Sequence, residues 1–191
     1  MSPVPPQRNL DDVVLVGLIA NGDQTAFSKF MSANLKQLTV FTTRFLATRS
    51  DGEDVAQQVF VDVWQKAHTF DGNKASPKTW LYTIARNRCI DVIRKRQLRQ
   101  MVGLDDKTFD LFVDAPSPTQ VVENRQELRR TVEALHRLPE RQRLALLLSA
   151  VADLPVREIA RVLKTSEGAT EQLLVRARKR LRQAVAFETR P

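Results

Sequence analysis

Cysteine, histidine and glycine are all scarce in this chain of 191 residues, which has one Cys, two His and six Gly. A single cysteine, Cys89, excludes an internal disulfide and any multi-cysteine zinc site. Two scattered histidines, His68 and His136, exclude a histidine metal cluster. There is no Gly-rich phosphate loop, no motif of paired catalytic carboxylates and no nucleophile motif. Neither an enzyme nor a cofactor is expected, and no small-molecule substrate. No apolar run approaches the roughly 18 residues that span a bilayer. Met1–Arg8 also lacks the charged-then-apolar order of a secretory signal. The reading is cytosolic, metal-free and without direct membrane insertion.

What the chain has in excess is positive charge. Lys and Arg number 30 against 22 Asp and Glu, a net charge of +8. That balance favours a polyanionic partner, nucleic acid before an anionic membrane surface. Hydrophobic content of 42% with 27% charged residues is that of a globular chain. Strand patterns are absent, so the expected fold is all-α. The length suits two small helical lobes, each with a modest core.

The first lobe reads as four helices. Val13, Val14 and Ile19 precede a turn at Asn21–Gly22–Asp23. Phe27, Phe30, Met31, Leu35, Leu38, Phe41, Phe45 and Leu46 then recur at helical spacing. Ser50–Asp51 opens a third helix, with Val55, Val59, Val63 and Ala67 at every fourth place and Ala56, Phe60 and Trp64 widening the stripe. Asp71–Gly72–Asn73 breaks it. Ser76 as N-cap and Pro77 at the first helical position start a fourth helix running to about Gln97. It carries Lys78, Arg86, Arg88, Arg94, Lys95 and Arg96, a set able to neutralise phosphates. Trp80 and Tyr82 add aromatic faces on which single-strand bases could stack, although core packing explains Trp80 equally well.

Periodicity fails from Arg99 to Ser117, a linker with unusually apolar Leu104, Phe109, Leu111, Phe112 and Val113. Packing against a lobe is the simpler reading of those residues, and a channel in a partner the sharper one. Ser117–Pro118 opens a helix to about Leu138, and Pro139 another with Leu144, Leu146, Leu147 and Leu148 toward the core. Val156–Leu163, a Lys164–Thr165–Ser166 turn and Ser166–Val185 form a helix-turn-helix. Thr170, Leu174, Ala177, Leu181 and Val185 make its buried stripe. Ser166 caps the second helix. Glu171, Gln172, Val175, Arg176 and Lys179 face outward, where such helices meet a major groove. Gln172 suits adenine, and Arg176 guanine or phosphate.

These residues carry a family likeness. The chain resembles a bacterial sigma factor of the extracytoplasmic-function class over Leu10–Gln97 and Asn124–Ala186. The first block matches in Glu53–Phe60, in Thr79–Asn87 and in Ile90–Arg96. The second matches in Leu138–Arg143, Glu158–Ala160, Ser166–Gly168 and Arg176–Leu181. The resemblance implies a region 2-like domain over 10–98, a linker over 99–117 and a region 4-like domain over 118–187. It implies a non-catalytic subunit that binds core RNA polymerase and directs it to promoter DNA. Asp54, Gln57, Gln58, Val61 and Gln65 would then meet polymerase. Asn73 and Lys74 in the 69–76 loop, with the basic and aromatic residues of the following helix, would open the minus-ten element. Ser166, Glu171, Gln172, Val175, Arg176 and Lys179 would read the minus-thirty-five element. An anti-sigma regulator is implied too, one that could hold this bacterial cytoplasmic protein at the membrane.

The chain also departs from that family. Gln58 stands at a common Glu position and Pro77 at a frequent Phe position. Lys164 replaces the usual turn Gly and is expected in a left-handed conformation. Thr170–Glu171–Gln172–Leu173 replaces a Val-Lys-Ser-Arg run, so an atypical upstream element, or weak reliance on one, is expected. Two other readings compete: a sigma-like decoy that binds an anti-sigma partner without initiating, and a plain helix-turn-helix regulator. The second leaves Asp51–Arg96 unexplained. His68 and His136 read as structural, and Cys89 as a small core residue.

Overall fold

The computed structural model describes residues 7–102 and 130–188, with side chains for 11–102 and 130–185. The first lobe holds α1 (Gln7–Ala20), α2 (Gln24–Leu46), α3 (Arg49–Lys66), a short 3-10 turn (Ala67–Thr69) and α4 (Pro77–Met101). The second holds α5 (residues 130–136), α6 (Glu140–Ala150), α7 (Val156–Leu163) and α8 (Glu167–Glu188). No strand occurs among the described residues.

Local chemistry sets the helix ends. Gly22 adopts φ 83, a left-handed turn that glycine accepts without strain. Asp23 Oδ1 then caps α2 by accepting the Ala26 N–H at 2.9 Å. Ser76 Oγ caps α4 through the Thr79 N–H, with Pro77 in the first turn as its spacing predicts. Between α2 and α3 the chains meet backbone to backbone at Gly52. A Cβ there would stand 2.5 Å from Thr43 Cα and 2.7 Å from Thr43 N. Thr42 Oγ1 donates to the Gly52 carbonyl at 2.8 Å across the same crossing.

Phe30, Leu38, Phe41, Phe45, Val59 and Leu81 fill the first core, and Leu144, Leu148, Ile159 and Val162 the second. Each such side chain contributes roughly 1.5–3 kcal/mol on burial. The buried residues form one cluster across both lobes. The lobes pack α4 on α7 and α2 on α6. Gln37 Nε2 donates to the Val151 carbonyl at 2.5 Å, Ser76 Oγ donates to Glu158 Oε2 at 2.7 Å, and the Arg143 guanidinium lies 5.0 Å over the Phe45 ring.

Two sequence expectations need correcting. The fourth helix continues to Met101 rather than ending near Gln97, because Leu98–Met101 are all good helix formers. Trp64 does not widen the buried stripe: it is 37% exposed, with its ring edge-on to Phe27 at 5.3 Å. The apolar linker residues 104–113 and the helix expected over 118–129 lie outside the described residues.

Candidate nucleic-acid interface

α7, a tight turn and α8 form the helix-turn-helix. Lys164 sits at φ 52, ψ 54, the left-handed conformation its place at a glycine position implies. The Thr165 N–H reaches back to the Ala160 carbonyl at 3.0 Å, which closes the α7 end. Ser166 Oγ accepts the Ala169 N–H at 3.2 Å, so this hydroxyl is the cap of α8. Thr170 is fully buried and returns a bond to the Ser166 carbonyl at 2.9 Å. Leu174 and Ala177 are buried, while Leu181 and Val185 are partly so. That leaves Glu171, Gln172, Val175, Arg176 and Lys179 exposed along the opposite side. Val175 is 58% exposed, an apolar contact suited to a thymine methyl.

The basic set of α4 divides. Arg94 and Lys95 are exposed to solvent. Arg88 is not a free phosphate ligand: its Nε and Nη2 grip the two oxygens of Asp62 at 2.5 and 2.6 Å. Asp62 is buried and also takes Lys66 at 3.2 Å. The Arg88 hydrogen bonds hold its carboxyl below the usual range against the opposing effect of burial. Arg96 is likewise committed, to Asp51, to Thr48 Oγ1 at 2.9 Å and to the Leu46 carbonyl at 3.1 Å. It ties α4 to the α2–α3 junction. Tyr82 is 1% exposed, edge-on to Phe41 at 5.0 Å, so base stacking on it is ruled out by burial. Burial also pushes its phenol far up. Lys78 lines the cleft between lobes beside Val151 and Glu158, and half-buried Arg86 donates to Asn87 Oδ1 at 3.0 Å.

Trp80 is half-buried and leans on Phe70 at 5.4 Å, at the foot of the 71–76 loop. In that loop Asp71 Oδ1 accepts the Asn73 N–H at 3.0 Å, and its other oxygen pairs with Lys74 at 3.0 Å. The Lys74 pairing lowers the Asp71 pKa. Asn73 and Lys74 are thereby presented on a preformed turn. Asp54, Gln57, Gln58, Val61 and Gln65 are all exposed on the outer side of α3, with Val61 at 45%. Offsets of three, four, seven and eleven place them on one face.

Three residues escaped the sequence reading. Asp62 lies three and seven places after Val59 and Val55, in register with the buried stripe, and that register was the available signal. Asn87, exposed two turns after Trp80 on the same side of α4, was legible by the same count. Gly52, in a helix's first turn, carried none.

An all-helical protein with a helix-turn-helix in one lobe and a loop-and-helix basic face in the other defines a two-part DNA-binding class. Comparison gives that class its family. A model of Sigma-70 region 2 matches residues 30–99, and one of Sigma-70 region 4 matches residues 128–181. ECF RNA polymerase sigma factor RpoE of Cereibacter sphaeroides is 35% identical over 164 residues, covering 84% of this chain and 87% of that protein. The sigma factor RpoE of Bartonella quintana, solved with the anti-sigma factor NepR, superposes with a TM-score of 0.70 at 25% identity, covering 84% of this chain and 96% of that one. CnrH, solved with the cytosolic domain of CnrY, gives 0.71 at 24% identity over 94% and 99%, a likeness of fold. The chain belongs to the ECF RNA polymerase sigma factors.

Proposed function

We propose that this ECF sigma factor divides its work between the two exposed surfaces just described. The outer face of α3, Asp54, Gln57, Gln58, Val61 and Gln65, docks on core RNA polymerase. Asn73 and Lys74 take up an extruded minus-ten base, with Trp80 behind them and Arg94 and Lys95 holding the backbone. No catalytic step is needed, because binding offsets an unstacking cost of a few kcal/mol per base. Glu171, Gln172, Val175, Arg176 and Lys179 read the minus-thirty-five element.

The observation that carries this reading is the sorting of charge. Arg88 and Arg96 are bound to buried or half-buried acids, whereas Arg94, Lys95, Arg176 and Lys179 stand in solvent. Glu171, exposed where the family's run carries Lys, and Leu173, half-buried where it carries Arg, support an atypical upstream element; Glu171 suits cytosine N4. The relative solved with NepR supports regulation by an anti-sigma protein, and with it we infer a location in a bacterial cytoplasm, free or held at a membrane through that partner. No helix of the described residues is long and apolar enough to cross a membrane.

Run-off transcription on fragmented genomic DNA, with bacterial core polymerase and with or without this chain, tests the proposal. Discrete new start sites are expected, and a Gln172→Ala variant should relax preference at one upstream base pair. Polymerase binding without transcripts would instead establish a decoy.

A further inference from the structure

Core packing and the contact between lobes leave one face of α7 unused. Ile159, Ala160, Val162 and Leu163 are buried, and Val156 and Glu158 are half-buried. Glu158 turns toward the first lobe, where its Oε2 accepts from Ser76 Oγ at 2.7 Å. The residues of 156–164 that stay exposed are Arg157, Arg161 and Lys164, and all three are cations. Offsets of four and seven place them in one stripe about 10 Å long. Arg161 Nη1 lies 3.4 Å from Glu158 Oε1, a pair open enough to solvent to exchange for another anion.

Two of the three stand where local stability argues against them. Arg157 sits in the first turn of α7, at the positive end of the helix dipole, where a cation is repelled. Lys164 holds φ 52, ψ 54, a left-handed conformation that glycine adopts without strain and lysine does not. Neither placement serves the fold. Residues kept against local preference on one surface mark a function of that surface. On α8, meanwhile, positive charge is missing. Glu171 for Lys removes two units from the family's run, and Leu173 for Arg removes one.

We propose that Arg157, Arg161 and Lys164 form a phosphate clamp on the upstream promoter duplex, taking over backbone contacts that α8 has lost. In a helix-turn-helix the second helix enters the major groove while the first crosses the backbone. α7 therefore meets phosphates when α8 reads bases. A stripe of about 10 Å reaches two or three successive phosphates of one strand. Such contacts position the protein and carry no sequence information. Glu171, Gln172 and Val175 are left to read base edges, with affinity supplied from the neighbouring helix. The clamp acts only if the second lobe binds the upstream element, the reading on which it rests.

The test is binding of the polymerase holoenzyme to a promoter fragment recovered by the run-off experiment. It is measured across a salt series for the wild type, Arg157→Gln, Lys164→Gly and the double variant. The same fragment cut just upstream of the minus-ten element is the control. On the intact fragment alone, each single variant should flatten the slope of log affinity against log salt by about 1, and the double variant by about 2. Upstream base changes should still be discriminated as the wild type does, unlike in Gln172→Ala. Lys164→Gly should also melt higher than the wild type while binding DNA less tightly, an outcome that misfolding cannot produce. An unchanged slope in the double variant, or an equal loss on the cut fragment, would overturn the proposal. Wild-type holoenzyme that binds both fragments alike, or the recovery of no promoter, would overturn the upstream assignment and the clamp with it.

Discussion

Replacing Gly52 with alanine sets two effects against each other, and the structure decides between them. Intrinsic propensity favours alanine in a helix by roughly 0.5–1 kcal/mol. The new methyl carbon would stand 2.4 Å from Thr43 Oγ1, 2.5 Å from Thr43 Cα and 2.7 Å from Thr43 N. Two of those atoms are backbone and cannot rotate aside, so α2 and α3 must separate by about an ångström. A gap of that size forfeits a quarter to a half of the dispersion energy of each contact it opens. It also stretches the 2.8 Å bond from Thr42 Oγ1 to the Gly52 carbonyl, worth about 1 kcal/mol. Overpacking of this kind costs typically 1–3 kcal/mol, so with the lost bond the net expectation is a destabilisation of about 2–3 kcal/mol. Urea denaturation followed by circular dichroism measures it. Gly168→Ala in α8 is the control, because nothing lies within 4 Å of its added carbon. That variant should be stabilised by up to about 1 kcal/mol. If both variants move the urea midpoint upward alike, the reasoning about the α2–α3 contact is wrong.

Asp62→Ala removes the buried acid that Arg88 and Lys66 share; those cations are 36% and 51% exposed and can turn to solvent, so the cost should be about 1–3 kcal/mol by the same urea titration. His136 has its pKa depressed to about 4, by burial first and by the Arg143 charge second. A histidine lowered in the fold adds stability above its unfolded value near 6.5 and loses it as pH falls toward 4. About 2–3 kcal/mol should disappear across that window, partial exposure favouring the lower end, and a His136→Gln variant should show a flatter profile in pH-dependent melts. The stabilisation from the depressed Asp62 is present above about 4 and lost only below it, so the two groups titrate in separate windows. Lys164→Gly removes a left-handed strain and should raise stability by about 0.5–1 kcal/mol in thermal melts.

Helix starts and the helix-turn-helix were legible because caps, prolines and apolar stripes are local signals. Ser76–Pro77 and the Thr170, Leu174, Ala177 stripe needed no knowledge of the rest of the chain. The candidate site was read less well because composition cannot say which cation has an internal partner. Arg88 and Arg94 look alike in sequence; only the packing of α3 on α4 shows that Asp62 takes one and leaves the other. Tyr82 failed for a similar reason, since a tyrosine beside a tryptophan reads as an exposed pair until Phe41 is found against it. The contacts between lobes depend on pairs such as Ser76 and Glu158, separated by 82 positions, and no local pattern reports those.

The packing of α2 and α4 on α6 and α7 couples the lobes by linkage. Any partner that needs the lobes apart must first supply the free energy of that interface. Its apparent affinity is lower by the fraction of chains already open. A second partner with the same requirement then binds to a chain that has been opened for it. Two ligands that never touch would thus assist each other, by the same factor in either order of binding.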